Sequence, residues 1–203
     1  MIATLTLSAD RAAAFPIDWG TEELEAARSF GVDLEQPPTD LMSAGFAFHL
    51  AWLADIVMYA EVVSIRYPMV GPYLTIVELQ VGSVLKGSSN SERVFVDLIS
   101  GPYYVGESAR FGNSWASDES SFEIGEKVLV FLTRERLHDP RDPDAYAHEP
   151  GHYSLVNGVK WTVHGDCVDY GYAGSSTQSL PVEALTDDIE KMAAVQEDLP
   201  NLP

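Results

Sequence analysis

Residues 54–87 read ADIVMYAEVVSIRYPMVGPYLTIVELQVGSVLKG, two β-branched runs parted by a Pro/Gly break and closed by Leu85-Lys86-Gly87. Ile56, Val57, Val62, Val63 and Ile65 form the first run; Ile76, Val77, Leu79, Val81 and Val84 form the second. Side chains stiff at χ1 suit a pleated surface better than a helix, so the block predicts two strands. The break, Tyr67-Pro68-Met69-Val70-Gly71-Pro72, is longer than a tight hairpin. The centre of the chain is therefore β.

Outward from this block the same pattern places strands near 56–65, 73–84, 93–99, 102–111 and 126–133. Lys86-Gly87-Ser88-Ser89-Asn90 reads as a loop. In the third strand Val94, Val96 and Leu98 alternate with Phe95, Asp97 and Ile99. Gly125-Glu126 introduces KVLVFL, a buried-looking strand. Further on, YSLV and VKWTV flank Asn157-Gly158, a dipeptide that favours the positive φ of a two-residue hairpin turn. Residues 134–150, charged and rich in proline, read as an exposed loop, and 171–179 as a Gly/Ser-rich one. Pro181 to Gln196 predicts a closing helix with Leu185, Ile189 and Met192 on one face.

Ahead of the β region, residues 1–53 read as a helical extension. Thr21 is an N-cap for a short helix carrying Leu24, Ala27 and Phe30, and Pro37-Pro38 breaks it. Asp40 to Leu53 follows as a helix with Leu41, Phe46, Leu50 and Leu53 on its buried side. The domain division is thus an N-terminal extension over 1–53 and a β-barrel with its C-terminal helix over 54–197. Roughly five to seven strands with uneven connections and a terminal helix suit a small closed or partly closed barrel.

The 203 residues carry 31 acidic against 12 basic side chains, a net charge of −19. Such a surface repels polyanions, whose affinity rests on Lys/Arg–phosphate pairing, so nucleic acid is not an expected partner. The acidity reads as solubility, with a surface suited to a basic partner as the alternative. No apolar run reaches the roughly 18 residues of a membrane span. The N-terminus, MIATLTLSADRAAAFP, lacks a basic region before its apolar stretch, so no signal peptide is expected. One cysteine, Cys167, excludes an intrachain disulfide and leaves the compartment open.

Three segments together resemble the netrin-like module. They are Asp55-Ile56-Val57 opening a strand, Val84-Leu85-Lys86-Gly87 closing its partner, and Gly125-Glu126-Lys127-Val128-Leu129-Val130-Phe131. The helix start Leu180-Pro181-Val182-Glu183-Ala184-Leu185 falls in the same order. That module is an OB-fold barrel found in tissue inhibitors of metalloproteinases, complement C-terminal domains and related bacterial proteins. The resemblance spans residues 54–192 and implies a mainly β, OB-like small barrel with N-terminal helical segments and a C-terminal helix. It implies a binding role. Animal members carry disulfides, and the inhibitors place an N-terminal cysteine on the protease metal. Neither is present here, so protease inhibition does not carry over.

Several clusters are candidates for chemistry. His148-Glu149-Pro150-Gly151-His152 matches H-E-x-x-H, which needs both histidines on one helical face to hold zinc. Pro150 and Gly151 oppose that helix. Asp139, Asp142 and Asp144 gather carboxylates that would suit calcium, without the spacing of an EF-hand. His164, Asp166 and Cys167 stand close in sequence, but strand neighbours alternate in face, so Cys167 reads as a buried structural cysteine. Aromatic residues around 101–121, with Tyr103, Tyr104 and Trp115 foremost, form a candidate contact surface. The sequence therefore predicts a non-catalytic module with no required cofactor, contacting protein. The alternative is a metal-dependent hydrolase built on His148, Glu149 and His152.

Overall fold

A computed structural model describes residues 44–68, 75–99, 101–104, 111–114, 121–134, 149–170 and 178–198. Helix α1 (Ala44–Leu53) leads into β1 (Ile56–Arg66), β2 (Thr75–Lys86) and β3 (Arg93–Leu98). The short pair β4 (Gly101–Tyr104) and β5 (Phe111–Ser114) follows, then β6 (Lys127–Thr133) and the long β7 (His152–His164). Strands β8 (Cys167–Tyr170) and β9 (Gln178–Pro181) precede helix α2 (Val182–Asp198).

The main sheet runs β3-β2-β1-β6-β7-β8-β9, and β3 also pairs with β7. That pairing is parallel, Phe95 opposite His152 and Val96 opposite Tyr153, and it closes β1, β2, β3, β7 and β6 into a barrel. Parallel closure between the third and last barrel strands gives the OB-like topology expected. The alternation in β1 explains the two layers around it. Ile56, Met58, Ala60 and Val62 point into the barrel with Val77, Leu79, Val94, Val96, Val128, Val130 and Leu132. Val57, on the opposite face, joins Leu129, Phe131 and Trp161 beneath Leu50, Leu185, Ile189 and Met192 of the two helices. Sheet strands buried on both faces read as continuous apolar runs, as IVM and VLVFL do. Phe131 and Trp161 meet edge to face with centroids 5.0 Å apart.

The residues that carry the sequence resemblance hold these layers together. Lys86 Nζ donates to the carbonyls of Ala51, Trp52 and Ala54 at 2.7, 3.2 and 2.6 Å, serving the open C-terminal end of α1. Burial lowers its ammonium from the ordinary 10.5 to about 8, opposed by the Asp55 carboxylate. Gly87 has φ +75°, and a Cβ there would stand 2.2 Å from the Asp55 carbonyl oxygen. Glu126 pairs with Lys160, accepts from Thr162 Oγ1 at 2.5 Å, and binds the Glu123 amide at 3.1 Å. The Lys-Gly and Gly-Glu dipeptides thus have mechanical roles in this fold.

Several local expectations are corrected. Asn157-Gly158 makes no hairpin, because the runs on either side both pair with β6 instead of with each other. Between Val130↔Lys160 and Leu132↔Leu155 the strand bulges, with φ +68° at Gly158. The tight turn lies further on at Gly165-Asp166, joining β7 to β8. The strand expected over 102–111 is two strands, β4 and β5, with Gly106 and Ser108, poor strand formers, in the intervening sequence. Leu53, expected to be buried, is 46% exposed at the last position of α1, where the chain turns into β1. The Leu185, Ile189 and Met192 face of α2 is buried as predicted. Residues 1–43, with Thr21, Leu24 and Leu41, lie outside the described residues, as does the side chain of Phe46. Among the described residues no helix is long and apolar enough to cross a membrane.

Candidate functional site

The two helices pack over Val57 and Tyr59 of β1 and Leu85 of β2, while the outward residues within 64–66 of β1, 76–80 of β2 and 93–97 of β3 carry a different set of side chains. Register fixes its layout. Arg66 sits beside Ile76 and Ile76 beside Asp97; Ser64 beside Glu78, Glu78 beside Phe95, and Phe95 beside His152; Gln80 beside Arg93. Paired residues share a face. Since Val77, Leu79, Val94 and Val96 fill the interior, these rows point outward.

Phe95 is the aromatic centre of the face. The His152 ring stacks on it with centroids 4.7 Å apart and planes inclined by 22°. The Arg66 guanidinium carbon lies 5.4 Å from its centroid, within cation–π range. Glu78 accepts the Ser64 hydroxyl at 2.7 Å and pairs with Arg93. These two hydrogen bonds, that of Ser64 foremost, hold the Glu78 carboxyl below its usual range. Arg93 is 52% exposed while Glu78 is only 16% exposed, so the guanidinium is the outer member of the pair.

At the barrel seam His152 Nδ1 lies 2.8 Å from Asp97 Oδ1, and the Asp97 side chain is 3% exposed. In the tautomer with Nδ1–H, His152 donates to Asp97 and Nε2 faces away from it. Glu149 Oε2 lies 3.9 Å from Nε2, on a side chain 84% exposed. The Phe95 amide donates to the Gly151 carbonyl at 2.9 Å, which brings the turn before β7 against β3. The seam is thus fastened by backbone, ring and carboxylate together.

The sequence candidates fare unevenly against this geometry. Glu149 and His152 lie on a turn, with the His152 amide donating to the Glu149 carbonyl at 3.0 Å, and His152 opens a strand. The one-turn helical spacing that H-E-x-x-H requires is not adopted by these residues; Gly151, at φ +84°, is the reason. His148, Asp139, Asp142, Asp144 and Trp115 lie outside the described residues. Tyr103 and Tyr104 fall on β4, opposite Gly112 and Phe111 of β5. Among the described residues no three His, Cys, Asp or Glu side chains are grouped to hold a metal ion.

His164 and Cys167 are direct partners across the β7–β8 turn and so share a face, where sequence adjacency suggested opposite ones for the cluster. His164 Nε2 is 3.5 Å from Asp169 Oδ2, and Ser179 also bonds Asp169. Cys167 is half-buried, not fully buried. Sequence reasoning passed over Arg66, Phe95 and the Asp97–His152 pair. Asp97 in the apolar run VFVDLI was the visible signal, but its partner is far along the chain.

No family model matches the chain, and no curated protein matches it.

Proposed function

We propose that this chain is a netrin-like, non-catalytic binding module that contacts protein through the outer face of β1, β2 and β3. The observation that carries the reading is Phe95, half-buried between rows of polar residues on β3 and outside the cluster that packs beneath the helices. OB-type barrels commonly bind on the face of their second and third strands. Aromatic and arginine side chains are the residue types that anchor protein interfaces. The polar groups around Phe95 are tied to one another, Glu78 to Arg93 and Ser64, and Asp97 to His152. Such pairing presets a surface and lowers the ordering cost of binding.

The experiment is affinity capture from the native proteome with the wild-type chain, Phe95→Ala and Lys191→Gln, the last being an exposed position on α2. A partner retained by wild type and Lys191→Gln and lost by Phe95→Ala supports the reading. Equal recovery by all three overturns it.

The second reading, a metal-dependent hydrolase using His148, Glu149 and His152, has one supporting observation. The Asp97 carboxylate on Nδ1 is the kind of partner that orients a metal-binding histidine. Calorimetric titration with zinc decides it: stoichiometric binding abolished by His152→Ala would favour this reading over the first.

A further inference from the structure

We infer that the β3–β7 seam controls the binding face, with His152 as the positioning residue that holds Phe95 in its binding posture. A partner then binds only while the seam is closed, and its binding fastens the seam. This rests on the binding reading above and names how that face is regulated. Phe95 belongs to β3, yet the ring stacked on it, with centroids 4.7 Å apart, belongs to β7. His152 Nδ1 reaches across the seam to Asp97 Oδ1 at 2.8 Å, two residues beyond Phe95 and on the same face of β3. The Phe95 amide donates across the same junction to the Gly151 carbonyl at 2.9 Å. Ring, carboxylate and backbone contacts of the seam thus converge on the residue that anchors the face.

Among the described residues the seam is also the shortest ladder of the barrel. Only Phe95↔His152 and Val96↔Tyr153 are in register across it. By contrast β2 and β3 pair from Thr75↔Leu98 to Gln80↔Arg93, and β1 and β6 from Ile56↔Leu132 to Glu61↔Lys127. The seam pairing is parallel, and parallel ladders are slightly less stable per residue. Asp97 and His152 stand 55 positions apart, so the loop that the seam closes adds entropy to the parted state. Such a junction opens at a lower free energy than global unfolding requires. Closed, the Phe95 ring lies against His152 and within cation–π range of Arg66. Parted, it loses the imidazole, and Asp97, 3% exposed when closed, meets water. A partner that recognises the stacked arrangement prefers the closed state, and linkage makes the effect reciprocal.

The test uses the full chain as wild type, Asp97→Ala, Asp97→Asn, His152→Gln and Lys191→Gln. Fluorine NMR of para-fluorophenylalanine placed at position 95 reads the surroundings of that ring. Amide hydrogen exchange, in unlabelled chains, compares Phe95 with Val62, whose amide donates to the Glu126 carbonyl at 2.9 Å away from the seam. Asp97→Ala should move the fluorine resonance and speed exchange at Phe95 about tenfold relative to Val62. Asp97→Asn keeps an acceptor for Nδ1–H and should restore most of both, while Lys191→Gln should change neither. His152→Gln keeps a donor for Asp97 and removes the ring, so it should move the resonance without disturbing the buried carboxylate. Equal acceleration at both amides, or a resonance unmoved by Asp97→Ala and His152→Gln, overturns the inference. The variants then enter the capture experiment. A partner that depends on Phe95 should be recovered several-fold less by Asp97→Ala and His152→Gln and, added back to wild type, should slow exchange at Phe95. If that partner is recovered equally by both variants, or leaves exchange at Phe95 unchanged, the inference fails and the binding reading stands. If wild type captures nothing that depends on Phe95, the binding reading fails and the linkage with it.

Discussion

Replacing Lys86 with methionine tests how the barrel holds its first helix. The variant keeps the length of the stem and removes the donors to Ala51, Trp52 and Ala54. Below pH 8 two effects compete. Charge-assisted hydrogen bonds are lost, each worth about 1.5–3 kcal/mol where the acceptor is left dry, and the cost of holding an ammonium out of water is relieved. Ala51 and Ala54 are buried and Trp52 half-buried, so their carbonyls are left poorly solvated, while relief of the buried ammonium offsets part of that cost; the net loss should be about 1–2 kcal/mol. Above pH 8 the balance changes. Between 8 and the ordinary 10.5 the unfolded chain keeps Lys86 protonated while the folded chain releases the proton. Stability rises with pH wherever the unfolded state binds more protons, so wild type gains relative to the variant across this window. The full lowering from 10.5 to about 8 corresponds to roughly 3 kcal/mol, and solvent screening of a partly exposed side chain reduces it to about 1–2 kcal/mol. Urea unfolding of both proteins followed by tryptophan fluorescence, repeated from below pH 8 up to 10.5, reads the difference directly. Groups common to both chains, including Tyr59, cancel. A stability gap that stays flat or narrows as pH rises would mean that the carbonyls outweigh burial at Lys86 and that its ammonium is not destabilised by the fold.

Gly87→Ala should cost upwards of about 3 kcal/mol, since it combines positive φ with a Cβ driven into the Asp55 carbonyl. Gly125→Ala, also at positive φ but with nothing within 4 Å of the new Cβ, should cost only about 1 kcal/mol in the same urea titration. Phe131→Ala, which empties a fully buried site against Trp161, should lose about 3–5 kcal/mol and lower the thermal midpoint accordingly. Glu78→Gln should remove acid sensitivity: the lowered Glu78 carboxyl contributes stability above its ordinary 4.5 that disappears as pH falls through its folded value. Acid titrations of wild type and Glu78→Gln should therefore converge at low pH; curves that diverge there would contradict the role assigned to Ser64 and Arg93.

Much of the barrel was legible because its strands obey a local period. Ile56, Met58, Ala60 and Val62 announce one buried face, and Leu185, Ile189 and Met192 announce the helix that covers another part of the core. What local pattern cannot carry is pairing. Asn157-Gly158 has the chemistry of a turn, yet β6 offers both flanking runs a shared partner, and ladder hydrogen bonds with β6 outweigh a local hairpin. Strands β8 and β9 are only four residues each, too short for alternation to stand out beside the Gly/Ser-rich sequence. The face around Phe95 was hidden for the same reason. Arg66, Phe95 and His152 come from three strands, and only the parallel seam between β3 and β7 brings His152 onto the ring. Conversely, H-E-x-x-H was conspicuous in sequence because it is contiguous, while the backbone at Gly151 denies its described residues the helix it needs.

We place the protein-binding surface on the outer face of β1, β2 and β3. A photoreactive benzoylphenylalanine at Gln80, beside Arg93 on that face, can be compared with the same group at Glu190, an exposed position on α2. Irradiation in cells should yield a discrete covalent adduct with a second protein from position 80 and none from position 190. Adducts from position 190 alone, or none from position 80, would contradict the claim.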